Sequence, residues 1–547
     1  MKLHFSYQNN SGKVSFHEDM NNDVEYSYGD FKAILEHHNH EYVLKIKPNK
    51  EIEILSLTLE YEQDFSMDDR LFFNGYQGWS YSHEDDIYTK KAGFNALPFM
   101  KRVMLKKFYL DRYGDYAFAS YPNKVGYNHS WSYFYIRNGK HYKLFGSLNE
   151  DFAFTKFIYE LDKKCITVEP DLRAYKTDKE FVALRFCVLD GEEDEVFDKW
   201  FNLMNIEKPK AKKVLGYTSW YNHYQNIDEE KINNDFVGIK SLPAKVDIFQ
   251  IDDGWERKIG DWLEADESKF KDGLKGIVDK IHKNDLLAGL WLAPFSVEKD
   301  SDLYKNHQDW IIKDENGENY ACGCNWSTFY GLDIYNLEVR AYLKEVFNKV
   351  FNEWGFDLVK LDFLYSACAL SRADKPRGTI MADGMKFLRE ICGDKLILGC
   401  GVPLASAFGR VDYCRIGCDV SLEYDDVFYM RKAHPERTST KHCMINTIFR
   451  RQLDGRAFLN DPDVFILRDE NVKMTPVQKE NLAIINGLFG SVLFMSDDAS
   501  KYDENKLALY KKIINLKGKL ISVDYDNKEA IVIYDDEGIK KEIRIKR

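Results

Sequence analysis

From residue 214 onward the chain alternates between two periodicities, and no other feature limits its fold so strongly. Short apolar runs of β character recur eight times, at 214–220, 246–252, 286–294, 356–362, 395–400, 412–418, 457–460 and 491–496. Helix-period segments lie between most of them. Leu274, Ile277, Val278 and Ile281 fall at i, i+3, i+4 and i+7, the spacing of one buried helix face. Another helix is predicted over about 337–354, with Asn336 placed to cap it. Eight strands alternating with helices predict a parallel (β/α)8 (TIM) barrel. Side chains at the carboxyl ends of such strands face a common mouth, so the strand ends are where chemistry is to be sought.

The fourth strand ends Leu358-Val359-Lys360-Leu361-Asp362-Phe363. Residues two apart point to the same side, so Lys360 and Asp362 share one space. Charges there are costly unless they pair or serve a site, and a structural ion pair is the rival reading. The other strand ends decide between the two. The first gives Ser219-Trp220-Tyr221, the second Asp252-Asp253-Gly254-Trp255, and the third Trp291. The fifth gives Gly399-Cys400-Gly401, and the sixth runs from Arg415 to Asp419. Carboxylates accept hydrogen bonds from hydroxyls, Lys donates, and Trp offers a flat apolar face. That set suits a neutral, polyhydroxylated substrate. No His stands at these ends, against a Ser-His-Asp centre or an imidazole-held metal. For Asp252 and Asp253 the rival is a divalent cation, which wants oxygen ligands that Gly254 and Trp255 do not supply; hydroxyl binding is preferred. Asp362 and Asp419 are then candidates for a carboxylate pair acting on a glycosidic bond. Asp362, beside a cation, is the expected nucleophile, and Asp419 the expected acid/base. This expectation turns Arg415 away from Asp419, toward substrate or a neighbouring carboxylate. Asp461 and Asp463, after the seventh run, read as loop structure.

Residues 1–192 read as a β-sandwich, with strands expected at 42–47, 52–60, 116–121, 142–148, 165–169 and 181–189. Within it lies the aromatic loop Phe72-Phe73-Asn74-Gly75-Tyr76-Gln77-Gly78-Trp79-Ser80, more than a sandwich core needs and suited to reach another domain. A helix and a Lys/Pro-rich linker fill 193–212, the barrel 213–516, and an antiparallel β domain 517–547. The fold expected is therefore multidomain α/β. A net charge of −12 without a basic block excludes nucleic acid as a partner. No apolar run reaches membrane-spanning length, and Met1-Lys2-Leu3-His4-Phe5-Ser6 lacks the apolar segment of a secretory signal, so a cytoplasmic protein is expected. Ten cysteines are scattered. Cys322-Gly323-Cys324 is their one close pair, weak evidence for zinc, and reduced thiols with no metal are expected.

Taken in order, these motifs resemble those of the α-galactosidases (melibiases) of glycoside hydrolase family 36 and, more distantly, family 27. The resemblance spans nearly the whole chain and implies an N-terminal β-supersandwich, the barrel and a small C-terminal β domain. The 74–80 loop is similar to one that lends a Trp, here Trp79, to the site, and Gly216-Tyr217-Thr218-Ser219-Trp220-Tyr221 to a first-strand motif that contributes an aromatic residue. The resemblance implies that Asp252 and Asp253 bind the galactose 4- and 6-hydroxyls, that Asp362 of Lys360-Leu361-Asp362 is the nucleophile, and that Asp419 of the Arg415 motif is the acid/base. Cys400 and Gly401 would lie near the sugar 2-hydroxyl, with Trp291 on the apolar ring face. Leu361 stands where many relatives carry Trp, and Gly78 where Ser is frequent. The implied activity is retaining exo-α-galactosidase action on melibiose- and raffinose-type oligosaccharides, without a cofactor, and with room for a homo-oligomer. An α-N-acetylgalactosaminidase stays open, because Cys400-Gly401-Val402 with Ala405 is small. So does a galactosyl transferase or a non-catalytic galactoside binder.

Overall fold

The computed structural model describes residues 1–546 apart from 373, 435 and 527; Arg547, the last residue of the expected C-terminal domain, lies outside the described residues. All eight expected barrel strands are present and shorter than the apolar runs: Val214–Thr218, Ile248–Ile251, Leu287–Leu292, Leu358–Leu361, Leu396–Gly399, Tyr413–Arg415, Leu459–Asp461 and Val492–Met495. Each is parallel to its neighbour in sequence from the first to the seventh, and the first also pairs with the last. The seventh differs from expectation in continuing as Val464–Phe465, which pairs with the eighth. Pro462, which has no N–H to offer a ladder, falls between the two pieces. The ends of the hydrogen-bonded path are thus consecutive pieces of one segment, and the sheet curls. Ile248–Ile251 and Leu358–Leu361 are buried at every position, as strands covered on both faces must be.

Helices cover the outside. Lys275–His282 buries Ile277, Val278 and Ile281. Leu337–Asn348 is capped by Asn336, whose side chain accepts from Glu338 N, and passes into a π-helical turn, Lys349–Trp354. Gly355 ends it at φ 89°, a left-handed conformation that glycine adopts without penalty.

The N-terminal part is two antiparallel sheets around a core of their own that includes Phe5, Leu35, Leu44, Phe145, Phe157 and Phe186. Five of the six strands expected there are present. The exception is 116–121, which forms turns: Phe118 N and Ala119 N both donate to Asp115 O. The Asp115 carboxylate is buried and accepts from Trp131 Nε1 at 2.7 Å, His129 Nε2 at 2.5 Å and the Tyr121 hydroxyl. The aromatic run packs around a buried anion instead of pairing, which is why its β-like composition misleads. The helix Glu193–Leu203 packs on this unit through Val196, Phe197, Trp200 and Phe201. At the other end Lys519–Asp526, Glu529–Asp536 and Ile539–Lys546 form a three-stranded antiparallel sheet. It is tied to the N-terminal sheets where Arg70 Nε donates to Tyr525 O at 2.8 Å. No helix among the described residues is long and apolar enough to cross a membrane.

Candidate active site

A cavity of about 430 Å³ opens at the carboxyl ends of the parallel strands. Eight of the twelve residues singled out in the sequence line it: Trp79, Trp220, Asp252, Asp253, Trp291, Lys360, Asp362 and Asp419. The other four, Tyr221, Cys400, Gly401 and Arg415, stand behind that lining.

On the side of the second to fourth strands one ammonium organises two carboxylates. Lys360 Nζ lies 2.9 Å from Asp252 Oδ2 and 4.0 Å from Asp362 Oδ2. Asp252 Oδ2 also accepts from Gln250 Nε2 at 2.7 Å and Thr218 Oγ1 at 3.1 Å. Asp362 accepts from Trp291 Nε1 at 3.1 Å and from the Phe363 backbone N at 2.8 Å. Phe363 takes a left-handed φ of 52°, so the chain turns sharply just past Asp362. Asp253 is buried; its Oδ2 accepts from Gln225 Nε2 at 3.0 Å and Trp326 Nε1 at 3.1 Å, while Oδ1 has no partner of this kind.

The sixth strand corrects the sequence reading. Arg415 does not turn away from Asp419: Nη1 lies 2.9 Å from Asp419 Oδ1. The same guanidinium reaches Asp461 Oδ2 through Nε at 3.1 Å and Asp463 Oδ1 through Nη2 at 2.9 Å. Asp461 and Asp463, read as loop structure, are therefore its counter-ions. Tyr221 does not reach the cavity, because its hydroxyl donates to Asp463. Burial raises the Asp419 carboxyl above the usual carboxylate range, and the Arg415 and Lys360 cations only partly oppose this.

Trp79 arrives from the N-terminal sheets on the 74–80 loop. Arg450, fully buried, clamps that loop by donating to Asn74 Oδ1 at 2.9 Å, Gln77 O at 3.0 Å and Gly78 O at 2.6 Å, and to Ile416 O at 2.7 Å on the barrel side. A Cβ on Gly78 would sit 2.7 Å from Arg415 O, so glycine is required for the close approach. Trp79 Nε1 then donates to Cys400 Sγ at 3.3 Å, and a Cβ on Gly401 would lie 2.8 Å from the indole. Cys400 and Gly401 thus pack under Trp79.

The rest of the wall escaped the sequence reading. Gln225, Trp326, Tyr113 and Glu436 all line the cavity from loops. Only Trp326 carried a signal, a Trp two residues after Cys324, and periodicity cannot assign such a residue to a site. No group of three or more His, Cys, Asp or Glu among the described residues is arranged to hold a metal ion.

The parallel strands thus deliver four aspartates, an ammonium and tryptophans to one cavity. Residues 204–377 match the family model described as Melibiase. The α-galactosidase Mel36A of Lactobacillus acidophilus is 27% identical over 176 residues, 31% of this chain and 23% of that protein. An A type blood α-D-galactosamine galactosaminidase of Flavonifractor plautii is 32% identical over 131 residues, 22% of this chain and 12% of that one. The aligned stretches therefore span less than a quarter of either relative's length. The fold matches over far more: the α-galactosidase TtGalA of Thermus thermophilus, solved with p-nitrophenyl α-D-galactopyranoside, superposes with a TM-score of 0.72 at 21% identity, covering 98% of both chains. Over residues 204–377 the chain is therefore similar to the melibiases.

Proposed function

We propose that the protein is a retaining exo-α-galactosidase that removes terminal, non-reducing α-galactosyl residues from melibiose- and raffinose-type oligosaccharides. One observation carries the reading: two carboxylates in unlike surroundings, Asp362 and Asp419, line one cavity beside hydroxyl-binding groups. Asp362, braced by two N–H donors and near Lys360, attacks the anomeric carbon. Asp419, whose carboxyl burial pushes up, protonates the leaving oxygen and then activates the water that releases galactose. Asp252, Asp253 and Lys360 hold ring hydroxyls, and Trp79, Trp220 and Trp291 the apolar ring face. Arg415, Tyr221, Cys400 and Gly401 support that lining from behind. A sugar of the wrong configuration would leave these buried groups unpaired, which is how galactose is selected.

In this reading the parallel strands form a closed (β/α)8 barrel at 213–516, with the 459–465 segment as its seventh strand. A β-supersandwich at 1–192, a connecting helix and linker at 193–212 and an antiparallel β domain at 517–547 complete the molecule. The Flavonifractor relative keeps a second reading in view, in which the 2-position carries a nitrogen substituent. Trp79 weighs against it, because its indole fills the space beside Gly401, where the family resemblance places the sugar 2-hydroxyl. Initial rates on 4-nitrophenyl α-galactoside and 4-nitrophenyl α-N-acetylgalactosaminide test both readings. The galactoside is expected to be turned over faster, with Asp362→Ala losing about 10⁴-fold or more. Preference for the acetamido sugar would reverse the choice, and turnover of neither would overturn the proposal.

A further inference from the structure

Glu256 is a buried carboxyl that the mechanism above does not use. It is 6% exposed and does not line the cavity. Its Oε2 accepts from Gly254 N at 3.3 Å, and its side chain is hydrogen-bonded to that of Asp253. Two carboxyl groups cannot hydrogen-bond each other without a proton between them. Gln225 and Trp326 already serve Asp253 Oδ2. The donors left for Oδ1 are the acid proton of Glu256 and a ligand hydroxyl.

The surrounding cations are engaged elsewhere. Lys360 lies on Asp252 at 2.9 Å. Lys269 Nζ donates to Gln225 O at 3.1 Å and Gly254 O at 2.7 Å. Lys258 faces Glu298 at 3.8 Å. Asp252, Asp253 and Glu256 thus place three carboxyls within five residues, and of these Lys360 pairs with Asp252. Burial raises the Glu256 carboxyl well above the usual range, and Asp253 raises it further.

We infer that Glu256 is a positioning residue: as a neutral acid it donates its proton to Asp253 and holds that carboxylate in place to accept a sugar hydroxyl. The kinetic consequence rests on the substrate-binding role proposed for Asp253; the location of the proton does not. When the proton is lost at alkaline pH, two anions face each other and Asp253 is displaced. KM then rises while kcat is spared. In Glu256→Gln an amide N–H takes the place of the proton at every pH.

Infrared difference spectra of wild type minus Glu256→Gln at neutral pH should contain the C=O stretch of a protonated carboxylic acid; its absence would overturn the inference. A raised folded-state pKa gives stability that is present at low pH and lost as pH rises through it. The Tm of Glu256→Gln relative to wild type should therefore climb from about pH 5 to about pH 9, and a constant difference counts against the inference. On 4-nitrophenyl α-galactoside, wild-type KM should rise roughly tenfold on the alkaline side while Glu256→Gln stays flat. A limb shared by both would overturn the positioning role. Glu256→Leu, which only removes the group, should raise KM alike at every pH. If no galactoside is turned over, the proposed activity fails, and the infrared and Tm measurements still decide where the proton is.

Discussion

Asp362 and Asp419 end neighbouring regions of the same sheet, each beside a cation, yet their surroundings differ. Lys360 is shared between Asp252 at 2.9 Å and Asp362 at 4.0 Å, and Asp362 gains two neutral N–H donors, from Trp291 and Phe363. Asp419 has the closer cation, Arg415 at 2.9 Å, but that guanidinium is divided among three carboxylates. Its carboxyl is raised all the same. Distance to the nearest cation therefore does not set the character of a buried acid. What matters is the cost of burial, and how far a cation shared among several anions, or oriented N–H groups, can offset it.

The largest test of this contrast is Asp419→Asn. An acid is needed most when the leaving group is poor, so kcat/KM on a raffinose-type oligosaccharide should fall by about 10²–10⁴-fold. The loss on 4-nitrophenyl α-galactoside, whose leaving group needs little protonation, should be smaller. Wild-type kcat/KM should decline as pH rises through the raised Asp419 pKa, and this limb should vanish in the variant. Equal losses on both substrates would mean that Asp419 is not the acid, and the comparison with Asp362 would lose its basis.

The same contrast separates what the sequence discloses from what it hides. Strand ends were legible because an apolar run that stops at charged residues fixes both their position and the face they share. Lys360, Asp362, Asp252 and Asp419 all came from that rule. Arg415 was placed wrongly because its direction depends on Asp461 and Asp463, which reach it only through the continued seventh strand. The cavity wall was illegible for a related reason. Trp326, Tyr113 and Glu436 sit on loops whose course is set by buried polar networks, and residues 116–121 mimicked a strand because their aromatic side chains gather around Asp115. Arg450 is such an organiser, bound to three carbonyls and an amide oxygen with no carboxylate among its hydrogen-bond partners. Arg450→Met should leave buried acceptors unpaired at about 1–3 kcal/mol each. A net loss of about 3 kcal/mol would lower Tm by roughly 3 °C, read by calorimetry. KM should rise as Trp79 loosens. A variant that melts with wild type would show that the 74–80 loop is held by packing alone.

The smallest effect tests the division of Arg415 most directly. Asp463, raised to about 6 by burial, is ionised above that pH and then competes with Asp419 for Arg415. It holds Arg415 Nη2 at 2.9 Å and accepts from Val420 N at 2.8 Å and from the Tyr221 hydroxyl. Asp463→Asn removes one of the three anions and keeps a side chain of the same shape. Arg415 then acts more strongly on Asp419, whose proton should leave at lower pH. The alkaline limb of kcat/KM should move toward acid by about half a unit to one unit, with kcat at its optimum changed by less than about tenfold. Tyr221→Phe is the matching control, since it removes a hydrogen bond from Asp463 but leaves its charge, and the limb should stay where it is. A limb that stays put in Asp463→Asn would assign the raised pKa of Asp419 to burial alone. A limb that moves in both variants would point to packing around Asp463, not to charge. Only movement confined to the charge-removing variant supports a guanidinium divided among three carboxylates as the device that leaves Asp419 able to hold a proton.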